Sequence, residues 1–141
     1  LIWKGRAMLA VRSLCEMVPL GLAVPLAVGG LTVTMATQAA VLSGRLPHTA
    51  VSGGRVTDPV EGRRVAAVSM CSLLPVAVLV ARGAGIAGEV SRAERGLLGV
   101  LAVAGLASVP VQALGTTFER RYMAPTAAAL AAGLGRLAIE R

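Results

Sequence analysis

The sequence is poor in charge, in aromatic rings and in metal-binding residue types. Charged residues make up only 15% of its 141 positions, where a soluble domain carries roughly a quarter. A soluble protein of this length must cover its surface with polar groups, and too few are present. Lipid is the solvent that removes that requirement. Aromatic residues are 2% of the chain. The net charge of +7 therefore lacks the stacking platforms and clustered basic patch of a nucleic-acid binder, and no nucleic-acid partner is expected. There is one histidine, His48, and two cysteines, Cys15 and Cys71. Neither cysteine belongs to a Cys-x-x-Cys pair, and one histidine cannot complete a metal set with them. No Gly-rich phosphate loop follows a strand, and no nucleophile motif occurs. Neither a cofactor nor a catalytic residue is expected.

Long uncharged runs are what the sequence does have. A helix needs about 20 apolar residues to cross roughly 30 Å of hydrocarbon. The first run lies between Glu16 and Arg45 and predicts a span over 18–40, with Pro19 in its first turn and Pro25 deeper. The second lies between Arg64 and Arg82 and predicts a span over 65–82, short enough to call on both arginines to snorkel. Pro75 and Cys71 lie inside it, and Cys71 reads as a small buried hydrophobe. The third lies between Arg95 and Glu119 and predicts 96–118, with Pro110 inside. The fourth, after Tyr122, is interrupted by Arg136. It spans 122–139 if that arginine snorkels, and lacks the polar face of an interfacial helix. The chain reads as one all-α membrane domain, a four-helix transmembrane bundle.

The gaps carry their own signals. The loop 45–64 holds Pro47, Gly53-Gly54 and Asp58-Pro59, all turn or breaker residues. Its His48 has Asp58 and Glu61 as nearby carboxylates. Those two acids, three apart, read as caps or salt-bridge partners rather than an acid/base pair. Ser91-Arg92-Ala93-Glu94 fits the capping box ahead of an apolar run. Glu119-Arg120-Arg121 reads as a tight connection between antiparallel neighbours. Counting Lys and Arg by side gives eight with the termini and the second loop against six on the other face, which places both termini in the cytoplasm. A competing outline exists at the start. Lys4, Arg6 and Arg12 precede an apolar stretch ending in small residues, as in a signal peptide, though the run is longer than a signal core. The chain begins at Leu1 rather than Met, as a fragment or a non-standard start would.

Ionisable residues inside spans mark transport paths and proton relays, and none falls inside the first three. The polar groups within the spans are neutral. Gln38, Ser108 and Gln112 are the candidates for an intramembrane pocket. Alternatively they bond across helices or to their own backbone. Ala104, Ser108 and Gln112 recur every four residues and predict a helix contact. Ala127, Ala131 and Gly135 form a small-residue stripe on the fourth helix, suited to close packing within the chain or between copies.

The segment from Val111 to Pro125 runs Val-Gln-Ala-Leu-Gly-Thr-Thr-Phe-Glu-Arg-Arg-Tyr-Met-Ala-Pro. It has a polar amide late in helix three, a short Ser/Thr stretch, Glu-Arg, an aromatic residue and then proline. Pro59 and Arg63-Arg64 stand before helix two, and Ala81-Arg82-Gly83-Ala84-Gly85 after it. In these features the chain resembles the actinobacterial branch of a family of uncharacterised four-helix bacterial membrane proteins. The first helix departs from that pattern in having no tryptophan beside Gly29-Gly30, and Gln112 stands where asparagine is more usual. The resemblance implies a four-helix membrane fold and no established activity. The expected role is structural or accessory and non-catalytic, with the lipid bilayer, a second copy or a larger membrane complex as partner. The alternative is a transporter or channel-like protein for a small neutral solute.

Overall fold

Backbone removed from water must satisfy its own hydrogen bonds, and a helix does so within one segment. A computed structural model places long α-helices on all four uncharged runs. It describes residues 9, 10, 12, 13 and 15–140. Lys4, Arg6 and Arg141, counted above for topology, lie outside the described residues. The long helices are α1 (Leu20–Leu42), α2 (Pro59–Gly83), α3 (Arg92–Ala113) and α4 (Ala124–Ile139). Residues 9, 10, 12, 13, 15 and 16 are also helical, and no strand occurs among the described residues.

Local chemistry sets the helix ends. Pro19 stands at the N-cap of α1, with φ −57° and ψ 138°. The helix stops at Ser43, followed by Gly44 at φ +74°, a conformation that favours glycine. Helix α2 begins six residues before the expected 65. Asp58 accepts a hydrogen bond from Glu61 N at 3.0 Å, and Pro59 occupies the first turn, where its missing N–H costs nothing. Helix α3 opens on the full Ser91–Glu94 capping box. It ends at Ala113 rather than 118, because Leu114, Gly115 and Thr116 form a turn. The connection to the fourth helix is this turn and not Glu119-Arg120-Arg121. Those residues already belong to a π-helical turn, Glu119–Met123, in which Ala124 N donates to Glu119 O. Pro125 follows at once. It has no N–H for the regular ladder, and the wider turn accommodates that break. Helical conformation thus runs from Thr117 to Ile139, about 34 Å at the α-helical rise.

Helix α4 packs between α1 and α3, and α1 also packs on α2. Contacts of α2 with α3 and α4 are sparse, and include Gly83 lying against Leu98 and Leu137. All four helices contribute to one apolar cluster, among them Ala27, Leu31, Val80, Leu98, Ala102 and Leu134. Small residues set the approach distances. A methyl group added at Gly133 would stand 2.5 Å from Ala27 N, and one at Gly30 would stand 2.7 Å from Leu130 Cβ. On the other side of α4, Ala131 meets Gly105 and Gly135 meets Ala102. Two members of the expected Ala127, Ala131 and Gly135 stripe are thus used for packing within the chain. The α3 contact is shifted from the expected phase: Leu98, Ala102 and Gly105 face inward, while Ala104 is exposed. Cys71, expected to be buried, is also exposed.

Three helices, α1, α2 and α3, are long and apolar enough to cross a membrane. Of their most apolar stretches only 28%, 17% and 11% of residues are buried, so the protein itself leaves most of that surface uncovered. Val68, Val78, Val100 and Val103 are all more than half exposed. An aqueous surface rarely tolerates contiguous apolar area of this kind, which supports a membrane location. Helix α4 is the shortest and most enclosed of the four, with Ala131, Gly133, Leu134, Gly135 and Leu137 buried.

Candidate functional site

The most organised polar constellation lies where the long loop meets the start of the fourth helix. Ser52, Gly53 and Gly54 take φ values of +57°, +65° and +69°, which turns the Gly53 N–H towards the helices. That N–H lies 3.0 Å from both carboxylate oxygens of Glu119. Thr116 N donates to Glu119 Oε2 at 2.9 Å, and Glu119 N donates to Thr116 Oγ1 at 3.2 Å. These last two bonds are a reciprocal capping box. The Thr116 hydroxyl also donates to Ala50 O, so one Thr–Glu pair both starts a helix and grips the loop. Glu119 is only 7% exposed. Backbone N–H groups satisfy its oxygens, and no cation stands within ion-pair distance of it among the described residues. The carboxylate occupies the space where a Gly115 side chain would begin. The Thr-x-x-Glu pattern was present in the sequence as a signal, and charge counting alone passes over it.

A cavity of about 30 Å³ lies beside this junction, lined by Gln38, His48, Val56, Gly62, Ala66 and Ser69 among others. That is room for roughly one water molecule. His48 Nε2 stands 3.0 Å from Thr57 O. A carbonyl only accepts, so this contact puts the proton on Nε2. The ring rests on Gly62, where any Cβ would collide with it. His48 therefore engages a backbone carbonyl, and Asp58 is used as the α2 cap.

The three residues suggested for an intramembrane pocket are distributed between two places. Gln38 lines the cavity between α1, α2 and the loop. Ser108 and Gln112 lie on α3 and are not part of that lining. Ser108 Oγ donates to Gly105 O at 2.7 Å, while Gln112 Oε1 is buried without a hydrogen-bond partner. Most other hydroxyls in the apolar helices bond their own backbone. Thr32, Thr34 and Thr37 donate to Val28 O, Gly30 O and Val33 O at 2.8, 2.8 and 2.9 Å, and Ser72 donates to Ser69 O at 2.8 Å. Thr37 Oγ1 also lies 3.6 Å from Met123 Sδ, joining α1 to the π turn.

The opposite end is clasped by charge. Arg82 Nε lies 2.7 Å from Glu94 Oε1 without hydrogen-bond alignment, and another guanidinium nitrogen donates to Glu89 O at 2.7 Å. This contact ties the end of α2 to the start of α3, a pairing that residue spacing alone does not signal. Cys15 is buried at the Gly135 position of α4. Burial pushes its thiol above the usual range, with Arg136 partly opposing the shift. Comparison with known protein families, with curated proteins and with solved structures gives no match for this chain.

Proposed function

We propose that the chain is an integral membrane protein of four antiparallel spans, with both termini cytoplasmic, that acts as a structural or accessory component and carries out no catalysis of its own. The observation that supports this most is how the polar groups are used. The hydroxyls of Thr32, Thr34, Ser72 and Ser108 are taken up by their own helices, as expected of residues that adjust packing rather than bind ligands. The charged groups at the helix ends serve as caps and clasps. On the same reading the chain belongs with the four-helix bacterial membrane proteins that its helix-three-to-four junction resembles. Its partners are then lipid and other membrane proteins.

One observation favours a second reading, transport of a small neutral solute. The unpartnered Gln112 Oε1 is a free acceptor at the edge of an apolar helix. Uptake of glycerol and urea by proteoliposomes separates the two. For Gln38→Leu and Gln112→Leu the accessory role expects uptake equal to that of the unsubstituted protein and of protein-free vesicles. Uptake above the vesicle background that falls in either variant, with the fold intact, moves the assignment to transport.

A further inference from the structure

Beside the cavity described above, and sharing Val65 and Ser69 with it, the first turns of α2 alone line an open groove of about 530 Å³. Asp58, Val60, Glu61, Arg64, Val65 and Val68 line it. Val60 and Val68 are 72% and 64% exposed. Arg64 forms no salt bridge among the described residues. Asp58 uses one carboxylate oxygen to cap the helix, and its other oxygen remains available. Groups of both signs thus stand over an apolar wall at the end of a helix apolar enough to span a membrane.

Their order along the helix is informative. Asp58 and Glu61 are outermost. Arg64 follows one turn deeper, about 4.5 Å along the axis, and on the same side as Glu61. Val65 and Val68 continue inward. A phosphatidylethanolamine molecule in a leaflet presents its groups in the same sequence: ammonium outermost, phosphate next, acyl chains below. We infer that this groove binds one phosphatidylethanolamine, an inference that rests on the membrane reading above. The two carboxylates accept hydrogen bonds from the primary ammonium, Arg64 takes the phosphate, and the valines cover an acyl chain. A choline head has no N–H to donate. A glycerol head has no cation, and its phosphate would meet two carboxylates with only one arginine. The groove therefore selects among phospholipids by the head-group amine.

The test uses the full chain purified in mild detergent and incubated with equal amounts of dioleoyl phosphatidylethanolamine, phosphatidylcholine and phosphatidylglycerol. Bound lipid is counted by native mass spectrometry. The ethanolamine lipid should exceed the choline lipid about tenfold, the difference expected of one charge-assisted hydrogen bond. Glu61→Gln and Arg64→Gln should each reduce its retention about tenfold. Asp58→Asn removes the charge while keeping a good cap residue, and should lower retention in an unperturbed fold. Val68→Trp fills the exposed apolar wall and should displace the lipid without touching any charge. Equal retention of the three lipids, preference for the glycerol lipid, or ethanolamine-lipid binding unchanged in Arg64→Gln and Val68→Trp would overturn the site. Vesicle flotation of the same protein keeps the two failures apart. A chain that floats but does not discriminate loses only the lipid site, whereas one that stays in the aqueous phase loses the membrane reading.

Discussion

Glu119 shows how one residue can carry a fold in an apolar chain. Among the described residues it is the one charged residue that is buried, and each of its bonds goes to backbone or to the hydroxyl-bearing residue that caps its helix. Removing such an acceptor strands the N–H groups of Gly53 and Thr116, both only partly buried, at roughly 1–3 kcal/mol for a fully buried donor left unsatisfied and less where water can reach it. Glu119→Ala should therefore lower stability by about 2–4 kcal/mol in reversible unfolding by sodium dodecyl sulfate. Glu119→Gln, which keeps one acceptor, should fall between the two. Thr116→Val preserves shape but loses the hydroxyl that bonds Glu119 N and Ala50 O, and should cost about 1 kcal/mol or more. Proteolysis of the loop around Ser52 should rise in parallel, since the same carboxylate holds it. Equal stability of Glu119→Ala and the unsubstituted protein would show that the junction is not an anchor.

At the scale of elements, contact in this bundle depends on where side chains are missing. Gly30 and Gly133 leave no room for a methyl group, whereas Gly29, next to Gly30, has nothing within 4 Å of an added Cβ. Gly30→Ala and Gly133→Ala should each force α1 and α4 apart and destabilise by about 1–3 kcal/mol, the usual cost of overpacking. Gly29→Ala should be neutral or stabilise by up to about 1 kcal/mol from helix propensity. The same unfolding titration reads all three, and equal losses would mean that the close approach is not what matters. The sequence carried the helices better than their rotation. Charge marked the four runs, and Ser91-x-x-Glu94 marked a true start. Yet an uncharged run is not a helix: the run to Phe118 continued past the turn at Leu114–Thr116, and α2 began in charged territory because Asp58 and Pro59 started it. Rotation was harder still. A helix facing water on one side has an apolar stripe to give its phase, but lipid and protein are both apolar. Cys71 and Ala104 point outward for reasons that composition does not encode. The candidate site was legible only in part. Gln38 does border a cavity, while the Glu119 junction depends on loop residues some 66 positions away in the chain.

On the proposed four-span reading, the whole molecule follows from alternation. Helix α2 covers 25 residues, about 37 Å at the α-helical rise. The loop that ends at Asp58 and the connection that begins at Ala84 therefore lie at opposite ends of the bundle. The first end carries Arg45, Arg55, Arg63, Arg64, Arg120 and Arg121, and the second carries Arg82, Arg92 and Arg95 near Arg12 and Arg136. If lipid fills the space around α1, α2 and α3, these two ends face two aqueous compartments. Single cysteines at Ser52 and at Ala87 test this in a background with Cys15 and Cys71 replaced by alanine. Ala87 is preferable to its neighbour Gly88, whose φ of +92° would strain any side chain. A membrane-impermeant maleimide added to intact cells should label the Ser52→Cys protein and leave Ala87→Cys unlabelled until the membrane is opened. The reverse pattern would invert the orientation and leave the proposed four spans in place. Labelling of both from one side would break the alternation itself, because α2 would then not cross, and the uncovered apolar surface would need a protein partner rather than lipid to hide it.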